Sequence, residues 1–315
     1  MALYAFDGTW NEEKDSGVYG LNTNVVEFAR AYDGGLAVVA KEGEQGGPSV
    51  RDDFYVSGPG TRHGTLGKWF GGAMGVGGRD RIDEARKAAA ERFAAGDETI
   101  DVVGFSRGAA LALHFTNVLA KARFRTKDGR EVRPTVRFLG LWDVVAAFGI
   151  PIDLGPLNFQ RVNLGYKLGL PDNVRHCFHA IALDERRDAF RVTRVDDGYQ
   201  VWFRGVHSDV GGGNENASLS NIALAWMLRK AAAVGLPVDA ALAGRLTADA
   251  MAPVRPATMG PAKKFREVKG TDRVHYSVTP RGRPECQDAP AGCPVETADD
   301  ERSRAPTVEE LRKAR

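Results

Sequence analysis

Ser106 stands at the centre of Gly104-Phe105-Ser106-Arg107-Gly108, a G-x-S-x-G. A serine hydroxyl is a weak nucleophile at its own pKa and needs a base to take its proton as it attacks. Histidine can do this near neutral pH, and a carboxylate behind it fixes the imidazole tautomer and stabilises the imidazolium. Glycines two residues to either side of the serine let a strand and a helix close tightly around a sharp turn, which lifts the hydroxyl to the edge of a sheet. The plainer reading is a Gly-rich strand-to-helix connection with an incidental serine. Ile100, Val102 and Val103 before the motif and the Ala/Leu-rich run from Ala109 after it favour the nucleophile.

The base and the acid must come from elsewhere in the chain. Among the histidines, His207 follows the apolar run Gln200–Val206 and precedes a Gly-rich loop, a place from which an imidazole can protrude. His63 is its rival; His114 lies two turns into a helix and faces away from the motif, His176 and His179 suit packed core positions, and His275 lies where the pattern thins. Asp143 closes the strand-like run Val136–Trp142 and ranks first as the acid, with Asp184 second. Asp209 is too near His207 in sequence to orient it and better suits bracing the loop. The polar turn Asp7-Gly8-Thr9-Trp10-Asn11 could supply oxyanion amides, or could be an Asx turn that satisfies itself. Gly8, Thr9 and Arg107 are the oxyanion and substrate-binding candidates.

These groups have to be positioned by strands that alternate with helices. Strand patterns fall at 2–6, 53–57, around Ile100–Val103, at 136–142 and at 200–206, whereas the periodicity of 174–183 does not choose between helix and strand. Helices are expected after an Asn22-Thr23-Asn24 cap, from about Arg79 to Ala95, after Ser106 and after Ser218. The pattern predicts an α/β fold, a mostly parallel sheet with helices on both faces. Ser106, Asp143 and His207 then follow the chain order nucleophile, acid, base of an α/β-hydrolase. Residues 1–285 read as the catalytic domain and 286–315 as a polar, partly disordered tail. Five glycines within Gly71–Gly78 fit neither the Walker nor the dinucleotide spacing and suit a flap beside Trp69, Phe70 and Met74. With the Pro-rich excursion through Ile150 and Leu154, that flap would form an apolar entrance for acyl chains.

The totals narrow the partners. Forty-three basic residues against 41 acidic ones leave a formal charge of +2, which gives no reason to expect nucleic acid. The three cysteines, Cys177, Cys286 and Cys293, are too few for a disulfide scaffold and lack zinc spacing, so neither a metal nor another cofactor is expected. No secretory signal and no spanning apolar run are seen, which makes the cytoplasm the default compartment with signal-independent secretion open.

Several blocks together resemble one family. They are Phe6-Asp7-Gly8-Thr9-Trp10-Asn11, Thr23-Asn24-Val25, Gly58-Pro59-Gly60-Thr61, Gly104-Phe105-Ser106-Arg107-Gly108-Ala109, Leu141-Trp142-Asp143-Val144-Val145, Ala182-Leu183-Asp184-Glu185-Arg186 and the run from Trp202 to Gly212. In this order they are similar to the signature blocks of an α/β-hydrolase domain family whose best-known members are type VI secretion phospholipase effectors. The resemblance implies Ser106 as nucleophile, His207 as base and Asp143 as acid, with lipid or phospholipid acyl esters as substrates and transient contact with a membrane surface. The alternative is a catalytically inactive module on the same fold. Oligomeric state is not written in the sequence.

Overall fold

The computed structural model describes residues 2–8, 22–32, 54–56, 74–146, 167–214, 217–255 and 264–315. The chain runs through β1 (Ala2–Phe6), α1 (Asn24–Ala31), β2 (Phe54–Val56), α2 (Met74–Ala95), β3 (Thr99–Phe105) and α3 (Ser106–Leu119). A small antiparallel hairpin, β4 (Phe124–Arg125) and β5 (Glu131–Val132), leads to β6 (Thr135–Trp142) and β7 (Val174–Ala182). Next come β8 (Tyr199–Phe203), α4 (His207–Gly211), α5 (Ser220–Ala233) and α6 (Leu242–Arg245). The chain closes with β9 (Arg273–His275), β10 (Val295–Glu296), α7 (Ala298–Ser303) and α8 (Val308–Lys313).

Eight strands form one sheet in the order β10-β9-β8-β7-β6-β3-β1-β2, and every neighbouring pair is parallel. A parallel sheet needs cover on both faces, and β6 shows how the sequence supplies it. Phe138 and Trp142 point into a cluster with Phe28 of α1 and Trp226 of α5, while Leu139 and Leu141 point into a second cluster with Leu113 and Phe115 of α3 and Phe93 of α2. Val174–Ala182, undecided in the sequence, is a strand buried on both faces, which is why no single-face period marks it. Thr23 caps α1 by accepting from the Val26 N–H.

Two expectations are corrected. The later part of the Gly71–Gly78 stretch is not loop, because α2 already begins at Met74. Trp69, Phe70, Ile150 and Leu154 lie outside the described residues, as does the entrance expected of them. Residues 295–313, expected within a polar and partly disordered tail, instead form β10, α7 and α8. Two of their carboxylates are buried and partnered: Glu296 accepts from Tyr199 Oη at 2.5 Å, Trp226 Nε1 at 3.0 Å and Lys230 Nζ at 2.7 Å. Glu301 accepts from His275 Nε2 at 2.5 Å and from Arg229. Composition flagged these residues as solvated because it cannot see their partners.

Candidate active site

The β3–α3 turn is built by its glycines. A Cβ on Gly104 would come within 2.7 Å of Ala109 Cα, and one on Gly108 within 2.2 Å of the Phe6 carbonyl oxygen. Only hydrogen at both places lets α3 start directly off β3 while butting against the end of β1. Ser106 takes the strain, with φ of 59°. Asp143, just after β6, has φ of 42°, and these two are the non-glycine residues with positive φ among those described. Each such backbone costs on the order of 1 kcal/mol, and strain of this kind collects where a side chain has to be aimed.

His207 comes from farther away. Its strand, β8, lies three places from β3, roughly 14 Å at ordinary strand spacing. The chain leaves β8, turns at Gly205 with φ of 113°, and runs back over the ends of β7 and β6. The residues after β7 fasten that return. Asp184 accepts from the Gly205 N–H at 2.6 Å, Arg204 Nη1 at 2.7 Å and the Gln287 N–H at 2.7 Å. Glu185 accepts from the His207 N–H at 3.1 Å and grips Arg187 through Nε at 2.8 Å and Nη2 at 2.6 Å. Asp209 accepts from the Val206 N–H at 3.1 Å and from Asn214 Nδ2 at 3.1 Å, bracing the loop as expected.

The three side chains meet. The Ser106 hydroxyl donates to His207 Nε2 at 2.8 Å, and His207 Nδ1–H donates to Asp143 Oδ2 at 2.6 Å. An ionised carboxylate can only accept, so this pairing assigns the proton to Nδ1 and leaves Nε2 free to take one. The second-ranked acid, Asp184, is spent on Arg204 and the loop amides. The rings of Phe105 and Phe190 both pack on His207, each with its centroid 4.6 Å away. Burial lowers the pKa of His207, opposed by its bond to Asp143 and assisted by the nearby Arg266 charge. The imidazole is therefore neutral and able to accept a proton at neutral pH.

Arg266 was not picked out from the sequence. Its Nη1 donates to Asp143 Oδ1 at 2.5 Å and its Nη2 to Oδ2 at 3.0 Å, and it also donates to the carbonyl oxygens of Ala182 and Phe190. Burial alone would raise the Asp143 pKa, but the Arg266 charge and the bond from His207 hold the carboxyl well below the usual range. His179 Nε2 accepts from the Val144 N–H at 3.2 Å, while burial lowers its pKa to about 4 and keeps it neutral. His179 thus pins the backbone beside Asp143.

The oxyanion candidates fare differently from one another. The Gly8 N–H donates to Asp7 Oδ1 at 2.6 Å, and the other Asp7 oxygen accepts from Thr23 Oγ1 at 2.8 Å. The amide expected to face a substrate oxygen is thus engaged within its own turn. Thr9 and His63 lie outside the described residues. Arg107 occupies the first turn of α3, directly after Ser106, where helical amides have no intrahelical acceptor. His114 Nδ1 accepts from the Lys167 N–H, His176 contacts the Pro306 carbonyl, and His275 pairs with Glu301.

A buried, strained serine hydrogen-bonded through histidine to a carboxylate is an arrangement able to transfer an acyl group. The family model described as "T6SS, Phospholipase effector Tle1-like, catalytic domain" matches residues 3–123 and 113–230, which span all three side chains. The chain belongs to this family. Two solved structures are similar to it. A crystal structure of an uncharacterized protein from Pseudomonas aeruginosa shares 22% identity with a TM-score of 0.48, covering 75% of this chain and 46% of that one. A Tle1 effector bound to the VgrG spike of the type 6 secretion system shares 23% identity with a TM-score of 0.45, covering 68% and 51%. The chain thus spans about half the length of the structures it matches. Comparison with curated proteins finds no match. Among the described residues, no helix is long and apolar enough to cross a membrane.

Proposed function

We propose that this Tle1-like domain is a serine hydrolase that cleaves carboxylic esters, its substrates being acyl esters of lipids or phospholipids. Ser106 Oγ attacks the ester carbonyl as His207 Nε2 takes its proton. Asp143 holds the imidazole and stabilises its charge, and the Arg107 N–H at the start of α3 donates to the developing oxyanion. Collapse expels the alcohol, which takes the proton from His207. Water activated by the same nitrogen then releases the acid and frees Ser106.

The observation that carries this reading is the chain of hydrogen bonds from Ser106 through His207 to Asp143, at 2.8 and 2.6 Å, beginning on a serine held at positive φ. Family membership supports a phospholipase, and the effector description supports release through that secretion system without a cleaved signal. The test is turnover of p-nitrophenyl butyrate and of phospholipid vesicles. Ser106→Ala and His207→Ala should each lower turnover by a factor on the order of 10⁴–10⁶, with the double variant little worse, because the pair acts as a unit. Wild-type turnover in either single variant would remove the assignment.

A further inference from the structure

The imidazole of His207 hangs from its backbone by two torsions, and the outer one, at an sp³–sp² bond, has only a broad preference of its own. The bond from Nδ1 to Asp143 Oδ2 fixes one point of the ring and leaves its tilt about that point open. That tilt decides whether Nε2 meets the Ser106 hydroxyl. Packing has to set it.

Two rings touch the imidazole, and they are held differently. Phe190 is half-buried at the end of the short turn Asp188–Phe190, with the Arg187 guanidinium 4.0 Å from its centroid. Phe105 is buried and ends β3 in extended backbone, its ring tilted 32° from the imidazole plane. On α4, Gly211 stands four residues after His207 and so on the same face of the helix. A Cβ at Gly211 would come within 1.9 Å of Phe105 Cε2, 2.3 Å of Cζ and 2.4 Å of Cδ2. The Phe105 ring therefore fills a slot in α4 that only a glycine leaves open, directly beside His207. Val210 and Trp142 share a buried cluster with Phe105, and a close-packed core leaves the ring little room to turn away.

The geometry points to Phe105 as a positioning residue for His207, with Gly211 as the clearance that admits its ring. Phe105 is joined covalently to Ser106. It thus ties the base to the strand end that carries the nucleophile, although His207 arrives from a strand three places away. The effect on rate rests on the hydrolase reading, whereas the effect on the imidazole does not.

Two variants disturb the contact from opposite sides. Phe105→Leu keeps apolar bulk and loses the flat face, while Gly211→Ala keeps the ring and drives it from its slot. Each should lower kcat for p-nitrophenyl butyrate about 10- to 100-fold and leave KM within about twofold. Because both act on one contact, the double variant should be no slower than the slower single. The low-field proton NMR signal of the His207 Nδ1–H, sharp in wild type, should broaden or vanish in both single variants. Phe138→Leu removes another ring of the same cluster, stacked on Phe28 within the sheet's cover, and should lower Tm while kcat and the signal stay as in wild type. Wild-type kcat and signal in a folded Phe105→Leu or Gly211→Ala, or an equal kcat loss in Phe138→Leu, overturns the positioning role and leaves the hydrolase reading standing. A wild type that hydrolyses no ester, yet whose His207 signal depends on Phe105 and Gly211, would sink the hydrolase reading and keep the positioning role.

Discussion

The turns that leave β3 and β6 and the segment from Lys264 to the C-terminus both serve the same three side chains, but they are encoded differently. At the first, Ser106 and Asp143 are aimed by their immediate neighbours: Gly104 and Gly108 make room, and the strand ends fix the direction. At the second, Arg266 reaches Asp143 across 123 positions of sequence, and Glu296 and Glu301 are satisfied by Tyr199, Trp226, Lys230, Arg229 and His275. Local pattern aims Ser106 and Asp143, while distant pairing holds the frame and sets the electrostatics. Substitutions in the first region should therefore change rate and spare the fold, and those in the second should do the reverse, with Arg266 belonging to both.

The sharpest contrast is between the two candidate acids. Asp143→Asn should keep its fold and lose about 10⁴ in turnover near neutral pH, because an amide favours the wrong tautomer of His207. Asp184→Asn leaves Arg204 buried without its counter-charge and should cost about 3–5 kcal/mol of stability, with turnover of the folded fraction within a few-fold of wild type. Steady-state kinetics beside thermal melts decide between them, and the reverse ranking would transfer the acid role.

Arg266→Gln tests the crossing case, and its direction can be worked out. The Arg266 charge lowers the His207 pKa, so the neutral base persists below the ordinary value of about 6.5. Without that charge His207 binds its proton more tightly, and the acidic limb of the pH–rate profile should move to higher pH. Turnover near neutral pH should fall about tenfold, with part of the loss restored in Arg266→Lys. A profile that does not move, in a folded variant, would make Arg266 a structural clamp only.

Lys230→Met should show the smallest effect on catalysis. It leaves buried Glu296 with only the more distant Arg273, at 3.8 Å, and should lower stability by about 3 kcal/mol, while turnover well below the melting temperature stays near wild type. A large kinetic loss with unchanged stability would mean that the C-terminal segment acts at the site and not on the frame.

The legible part of the molecule follows the same division. Strand-to-helix alternation disclosed the parallel sheet, and Ser106, Asp143 and His207 could be named because each lies at or just beyond the end of an apolar run. Leu139 and Phe138 face opposite layers, as do their neighbours along β6, so a strand buried twice still announces itself by continuous apolarity. In β7 the two histidines broke that signal, because His179 is a buried hydrogen-bonding group in an apolar strand. Arg266 was illegible for a different reason: its neighbours in sequence have no apolar period, and its meaning lies in a carboxylate brought to it by folding. Glu296 and Glu301 read as solvated charges for the same reason.

Activation of Ser106 by His207 is open to direct chemical labelling. A fluorophosphonate probe tests it most directly, because the probe phosphonylates only a serine whose proton can be taken as it attacks. On incubation with the full chain, peptide mass spectrometry should place the adduct on Ser106. Labelling should be lost in His207→Ala and strongly slowed in Asp143→Asn, with both variants melting as cooperatively as wild type. A folded wild-type protein that leaves Ser106 unlabelled, or one whose Ser106 labels equally fast without His207, would contradict the account.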